Sequence, residues 1–512
     1  MKLLFFIFGI FVSFGADVES SKILGICPAP AHSHFTLCFR LMKELADKGH
    51  EVSFVNSNPQ KTPIKNLKDI SVKETAGPIS KLMGSFTNFG KLSYIQQLLY
   101  INNFGKAQTE IILQHKNIQD LMKSDEHFDL VILYHWLTDA LAIFAHKFKC
   151  PLVILAPWPS SIFDNYMSGN PAPSSYVTYL SADYDSNMNF WQRIDNTFNQ
   201  IVGELIVHFK MVPTQNEALK KAFPDAPELS TILYNTSLIL TPFHPSLGDP
   251  IPLQQNIIEI GGYHVTPPKP LPKDLQDFMD SSTEGVVIFS MGSNVKSSDF
   301  TPEKIKTILN AFSKIKQKVL WKFEVDLPDK PANVKILSWL PQSDLIAHPN
   351  TVAFISHCGL LGTTEAVYHG VPILGLPVFW DQVKNIAVAV SKGYGLKVDF
   401  YDLDEQSFSS ALQEIVNNPK YRNTAKERSR IMHDDPVKQL DKAVFWIEYV
   451  IRHKGAAHLR SPALNLRWYQ LYLLDIISFV VVLVSIFITC LYLLCKCVCR
   501  KNNSVKSDKK NK

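Results

Sequence analysis

Between Trp339 and Gln382 the chain gathers residues able to hold a charged, hydroxyl-rich ligand. The apolar run 352–356 predicts a buried strand. His357-Cys358-Gly359-Leu360-Leu361-Gly362 follows as a turn of small residues, 363–369 as a short helix that Gly370 ends, and 372–377 as the next strand. A glycine-bearing turn feeding a helix N-terminus is an anion site, because free backbone N–H groups and the positive end of the helix dipole meet there. His357, at the strand's end, can donate one more hydrogen bond to a phosphate. Glu365 lies one turn into the helix, placed to accept from sugar hydroxyls. Asp381-Gln382 follow the next strand and belong to the same carboxyl edge, where open α/β sheets bind ligands.

The rest of the chain supplies the elements that position such a turn. Residues 22–27 predict a strand, and Ser33 is the expected cap of the helix that follows. Cys38, Leu41, Met42 and Leu45 keep the spacing of a helix face, Gly49 suits its end, and 51–55 is a second strand. Further apolar runs stand at 129–133 and 151–156. Alternation of this kind predicts an open parallel sheet flanked by helices. A Pro- and Gly-rich stretch from 241 to 272 reads as a linker. The pattern then restarts, with strands at 286–290, 319–323, 334–337 and 352–356, and with Thr301-Pro302 as a helix opening. Residues 441–470 read as amphipathic helix.

The chain has 512 residues, 46% of them hydrophobic and 19% charged, and this excludes disordered, collagen-like and disulfide-dense classes. Its net charge is +5, yet residues 495–512 alone hold seven Lys/Arg against one Asp. The body is therefore close to neutral, which argues against nucleic acid as a partner. Of eight cysteines, four cluster at 490–499. Cys27, Cys38, Cys150 and Cys358 are too scattered for a disulfide framework or a zinc site and are expected as buried free thiols. Residues 1–15 read as a signal peptide. Residues 476–494 carry no charge and predict a transmembrane helix, with the basic tail 495–512 cytosolic and the body lumenal. Lys509 and Lys510 resemble a dilysine retrieval signal. Asn235-Thr236-Ser237 is a glycosylation sequon on the lumenal side.

Trp339-Leu340-Pro341-Gln342, His357-Cys358-Gly359, Glu365, Pro372, Pro377 and Asp381-Gln382, at these spacings, resemble the signature of the UDP-glycosyltransferases. The similarity extends to the flanks at 290–294, 368–382 and 446–464 and is strongest to membrane-bound insect members. The resemblance implies an α/β, GT-B-like fold, two Rossmann-like domains facing a cleft, with a C-terminal transmembrane helix. The implied layout is an acceptor-binding domain at 16–242, a linker at 243–284, a nucleotide-sugar-binding domain at 285–440, and helices at 441–475 leading to the membrane. The resemblance further implies that Trp339 stacks on uracil and Gln342 contacts the uridine. Ser293 and His357 hold the diphosphate, with Gly359 in the same turn and Gly362 adding a backbone N–H. Glu365 holds the ribose, and Asp381 and Gln382 bind the sugar hydroxyls. Leu360-Leu361 replaces the Trp-Asn of the plant pattern, so those two contacts do not transfer.

The family's Ser-His pair matches Ser33-His34 in the first βα turn. His34 is thus the expected base, with His32 as its rival. The family orients this histidine with an acid. Where vertebrate enzymes carry that acid as Asp, and insect ones usually as Glu, this chain has Tyr134; Asp139, five residues on, matches an acid typical of the insect pattern, so the resemblance implies it as the partner. Asp183-Tyr184-Asp185 and Asp402-Leu403-Asp404 have the spacing of a metal-binding pair, but Asp404, ahead of 405–416, is better read as a helix cap. No metal or other cofactor is expected. The implied activity is inverting transfer of a hexose, glucose by similarity to the insect enzymes, from a UDP-sugar donor to a small lipophilic acceptor at the endoplasmic reticulum membrane. The membrane lipid is then itself a partner, and a homo-oligomer is left open. The competing reading is a catalytically weak or inactive protein that binds UDP-sugar and lipophile.

Overall fold

Apolar runs without polar alternation make strands that are covered on both faces, and the sequence holds many of them. In the computed structural model, which describes residues 20–83, 86–293 and 295–508, they assemble into two parallel sheets. The first takes β1 (Lys22–Cys27), β2 (Glu51–Asn56), β3 (Leu67–Ser71), β4 (Leu130–Tyr134), β5 (Leu152–Leu155), β6 (Thr236–Thr241) and β7 (Ile257–Glu259), in the order β3-β2-β1-β4-β5-β6-β7. The second takes β8 (Val286–Ser290), β9 (Lys318–Lys322), β10 (Val334–Leu337), β11 (Thr351–Ser356), β12 (Ile373–Gly375) and β13 (Gly395–Lys397), in the order β10-β9-β8-β11-β12-β13. Every residue of β4 and of β8 is buried. Strand order reverses between β1 and β4 in the first sheet and between β8 and β11 in the second. Such switch points open a crevice at the carboxyl ends of the strands.

Several expectations change. The segment 243–284, expected as linker, supplies β7, which pairs with β6. Ser33 does not cap the helix His32–Asp47; its N-cap is Ala31, with no side-chain bond. Cys27 and Cys38 form a disulfide across the first βα turn, their Cα atoms 6.5 Å apart, where two free thiols were expected. A strand end and the second turn of the helix it feeds are neighbours in space, which the spacing of cysteines along the chain does not reveal. Cys150 and Cys358 are free. Thr301 does cap its helix, accepting from the Lys304 N–H, with Pro302 at the first helical position.

The two sheets belong to one compact unit, which ends at Arg460. The helix Gln439–Arg452 follows the second sheet in sequence yet packs on the first. Its Leu440, Ala443, Val444, Ile447 and Val450 share a core cluster with Leu37 and Leu41 of the helix His32–Asp47. Lys397 pairs with Asp183 at 2.6 Å and Lys384 Nζ donates to the Thr178 carbonyl at 3.0 Å, both across the two halves.

One helix is turned inside out. In Phe190–Ile206 the buried positions are Asn196, Asn199, Gln200 and Gly203. Asn196 donates to the carbonyls of Ser174 and Val177. Phe190, Trp191, Ile194, Phe198, Ile201 and Leu205 form a stripe on the outer face, with Trp191 73% exposed.

The second unit, Ser461–Lys512, contains the helix Leu474–Asp508. Its stretch Leu474–Cys497 has a mean hydropathy of 2.8 and is long and apolar enough to cross a membrane. The expected signal peptide and the dilysine pair Lys509-Lys510 lie outside the described residues.

Candidate active site

The second sheet builds an anion cradle at its switch point. β8 ends at Ser290 and turns through Gly292, at φ +80°; β11 ends at Ser356 and turns through His357. The imidazole of His357 lies between two bare glycines. A Cβ on Gly292 or on Gly359 would sit 2.6 Å from a ring atom, so only glycine admits the ring at either place. Burial, with the Lys322 charge nearby, lowers His357 to about 4, so the ring is neutral at physiological pH. Its Nδ1 is buried without a hydrogen-bond partner.

The helix after this turn is Leu360–Tyr368, with Gly359 at its N-cap and no side-chain cap. It begins three residues earlier than the sequence predicted, which places Gly362 within its first turn. The first N–H groups of a helix have no intrahelical acceptor, so this end offers backbone donors beside His357. Ser293 is exposed in the β8 turn. Lys322, the last residue of β9, donates to the Gly292 carbonyl at 2.5 Å and lies 5.6 Å from the ring of Trp339. Sequence reasoning missed this lysine. Its signal was its place, on the carboxyl edge of the strand next to β8.

Around the cradle lie the other expected donor residues. Trp339 is 59% exposed, and His32 packs against it in a T-shaped arrangement at 5.6 Å. Gln342 Nε2 donates to Glu365 Oε2 at 2.7 Å. Burial raises Glu365 to about 7. Asp381 is held by Asn385 Nδ2 at 2.9 Å and raised by burial to about 6. Gln382 braces the loop before it, since its Oε1 accepts from the N–H groups of Val378 and Phe379 at 2.9 and 3.1 Å. Trp380, just before Asp381, sits at φ 58°, a left-handed backbone rare for an aromatic residue, as strain at functional sites tends to be.

The first sheet answers with His34, in the first turn of the helix His32–Asp47 that follows β1, at its own switch point. The Cys27–Cys38 bridge ties the end of β1 to the second turn of that helix. His34 Nδ1 lies 2.5 Å from the Tyr134 hydroxyl, and Trp136 packs on the imidazole at 4.1 Å. Burial lowers His34 to about 4. The expected partner, Asp139, is elsewhere: its carboxylate lies 2.7 Å from His135 Nε2. Two geometric reasons remove it from His34. Successive strand residues point to opposite faces, so Tyr134 and His135 part company at the end of β4. Asp139 then follows His135 by four residues at the head of a short helical turn, on the His135 side. Asp164, fully buried, faces the other ring nitrogen of His135 at 3.8 Å. Burial alone would depress His135, but the two carboxylates outweigh it and raise it to about 10.

Beside His34 the two halves enclose an aromatic cavity of about 50 Å³. The first half contributes Phe89, Phe104, Trp136 and Trp158, the second Phe379 and Trp380. Asp381 is near enough to influence Tyr134 electrostatically, so the two sheet edges face one another there.

The remaining expected positions have simpler settings. Asp404 caps its helix, accepting from the Ser407 N–H at 2.9 Å. Asp183 and Asp185 bind Lys397 and Ser391 across the two halves. Asn235 is exposed immediately before β6, its amide oxygen bonded to Arg460.

Two parallel sheets with switch-point turns facing across a cleft define a GT-B glycosyltransferase. A UDP-glucose:anthocyanidin 3-O-glucosyltransferase solved with UDP aligns with a TM-score of 0.58 at 17% identity, over 85% of this chain and 100% of that one. The family model for UDP-glucoronosyl and UDP-glucosyl transferase matches residues 22–511. The chain is 35% identical to UDP-glucosyltransferase 2 of Dactylopius coccus over the full length of both. It is 34% identical to UDP-glucuronosyltransferase 2B10 of Homo sapiens over 89% of each. The chain belongs to the UDP-glucuronosyl and UDP-glucosyl transferase family and is an enzyme that transfers sugar from a UDP-sugar.

Proposed function

We propose that the enzyme moves a hexose, glucose, from its UDP-sugar to the hydroxyl of a small lipophilic acceptor, with inversion to a β-glycoside. The observation that carries this reading is the aromatic cavity beside His34, because it is built almost wholly of apolar rings and so suits an apolar molecule presented to that imidazole. The name of the Dactylopius relative supports glucose.

In this reading uracil stacks on Trp339, Gln342 and Glu365 hold the nucleoside, and Asp381 with the Gln382 amide nitrogen takes the sugar hydroxyls. Ser293, Gly359, Gly362, His357 and Lys322 meet the diphosphate. The acceptor oxygen attacks the anomeric carbon from the His34 side, and the acceptor proton passes to His34. The bond from that carbon to the β-phosphate oxygen breaks, and UDP leaves with the electron pair. Its charge falls on the helix N-terminus and His357, donors fixed before the reaction begins. No metal takes part. The apolar segment Leu474–Cys497 anchors the chain in the endoplasmic reticulum membrane with the body lumenal, and the outward stripe of Phe190–Ile206 suits contact with lipid.

The test is UDP release by the detergent-purified full chain, with UDP-glucose, UDP-glucuronate and other UDP-sugars against a panel of phenols and steroids. Turnover strongest with UDP-glucose, product β by NMR, and rates unchanged by EDTA are expected. Preference for UDP-glucuronate, or no acceptor-dependent release, refutes the proposal.

A further inference from the structure

A histidine that takes a proton from an acceptor hydroxyl depends on what holds its other nitrogen. A carboxylate there fixes the tautomer and stabilises the imidazolium that forms. In this protein the group at His34 Nδ1 is the neutral phenol of Tyr134, at 2.5 Å. Both placements of the shared proton weaken the base. If Tyr134 donates to Nδ1, then Nε2 carries a hydrogen of its own and has no lone pair for the acceptor's proton. If Nδ1 donates to the phenol oxygen, Nε2 is free, but the cation made on proton uptake faces a neutral oxygen in a half-buried site.

The neighbouring charges do not repair this. Asp139 and Asp164 are committed to His135, and Asp164 Oδ2 also accepts from the Ser161 N–H and hydroxyl at 3.0 and 3.1 Å. From the helix His32–Asp47 itself the nearest titratable side chain is His32, which is turned to Trp339. From the segment after β7, Tyr263 influences Tyr134, and its hydroxyl donates to the Leu37 carbonyl. From the second half the carboxylate in range is Asp381, which reaches Tyr134 and is tied to Asn385.

We infer, resting on the acceptor-side role proposed above for His34, that Tyr134 is a positioning residue that confines fast turnover to acceptors with an acidic oxygen, phenols and carboxylic acids, and excludes alkanols. Such an oxygen arrives ionised or gives up its proton readily, to solvent or to the weakly basic Nε2. The new bond then forms between this oxygen and the anomeric carbon as UDP departs with its electron pair. The cavity agrees with an aryl carrier: Trp136 lies between His34 at 4.1 Å and Trp158 at 5.8 Å.

The experiment measures kcat and KM of the full chain, in detergent, for ring-substituted phenols of graded acidity and for a benzyl alcohol of matched shape. The most acidic phenol is expected to exceed the benzyl alcohol in kcat by about 10²-fold or more, the lower bound of what a positioned base contributes. Tyr134→Asp is expected to shrink that ratio to under about 10-fold by raising the benzyl alcohol kcat, with KM little changed and the pH–rate inflection moved. Tyr134→Phe, which keeps the ring but supplies no carboxylate, should keep the steep dependence on acidity. UDP affinity, measured in parallel, reports whether each variant is folded. Should Tyr134→Asp fail to fold, the graded series on the unaltered enzyme still decides. Equal kcat for phenols and benzyl alcohol overturns the inference while leaving the glycosyl-transfer reading standing. A folded Tyr134→Asp enzyme with an unchanged ratio also overturns it. Intact UDP binding without turnover of any acceptor removes the glycosyl-transfer reading, and this one with it.

Discussion

His34 and His135 meet the end of β4 from its two faces and acquire opposite character. His34 touches a phenol and an indole and is lowered to about 4. His135, one residue beyond Tyr134, lies between Asp139 and Asp164 and is raised to about 10. The first ring is neutral at physiological pH and the second is charged. His135 is buried and His34 half-buried, so burial pushes both toward neutrality. Two carboxylates on one face of a strand make the difference. The protein thus keeps carboxylates close to its candidate base and gives them to the neighbouring ring.

The largest effect that sharpens this contrast is on stability. His135→Gln takes the cation from between two carboxylates and leaves Asp164 buried with unpaired charge. Loss of one partner of a buried ion pair typically costs about 3–5 kcal/mol. Denaturant unfolding of the variant should show a loss of that order. A loss below about 1 kcal/mol would mean that His135 is neutral and that the contrast with His34 is false.

His34→Ala should do the reverse, with little change in stability and a large change in rate. With a phenol of ordinary acidity as acceptor, kcat should fall by about 10²-fold, the low end for a positioned proton-transfer group, because no carboxylate supports this one, and the loss should shrink as the phenol becomes more acidic. UDP affinity, assigned above to the second sheet in the proposed reading, should be unchanged in calorimetry. His32→Ala should have much less effect on kcat. A fully active His34→Ala enzyme would remove the residue from the mechanism, although not the fold.

What the sequence discloses here follows from how local each feature is. β1, β8 and β10 run where their apolar runs end. The turns carrying His34 and His357 fall on carboxyl edges because strand–helix alternation places them there. Short strands with ordinary composition, β3, β7 and β13, carry no run long enough to read. The Cys27–Cys38 bridge depends on the width of a turn. The family resemblance assigns Asp139 to His34, whereas it meets His135, because the pairing rests on which face of β4 each side chain leaves from, and on where β4 ends. Tyr134 itself is visible as a departure, but its contact with His34 is not. The stripe on Phe190–Ile206 obeys helical spacing, yet spacing alone does not say that its apolar side faces outward.

Across the cleft His357 offers a second neutral imidazole, also lowered to about 4, with one nitrogen unpartnered. It differs from His34 in that its expected partner is the ligand. His357→Ala removes a hydrogen bond to a charged group, worth roughly 1.5–3 kcal/mol. UDP affinity should fall by about 10- to 150-fold. Unchanged UDP binding would sink the phosphate assignment.

The smallest expected effect is the pH dependence of stability, and its sign separates the two rings of the first half. His135 has its folded value, about 10, above its ordinary value of 6.5. The stability it contributes is complete below pH 6.5 and is lost as pH rises toward 10, since the unfolded chain releases its proton first. His34, with a folded value of about 4, works the other way: its contribution is present above pH 6.5 and is lost as pH falls toward 4. Between pH 6.5 and 7.5 one titrating group can change stability by at most about 1.4 kcal/mol. For a chain of this size that corresponds to a shift in Tm on the order of 1 °C. Tm followed from pH 6.5 to 7.5 should therefore decline by less in His135→Gln than in the unaltered enzyme, while His34→Ala changes this interval little and flattens the fall below pH 6.5. An alkaline decline that is identical with and without His135 would show that its ring is uncharged in the folded enzyme, and the opposition between the two faces of β4 would then fail.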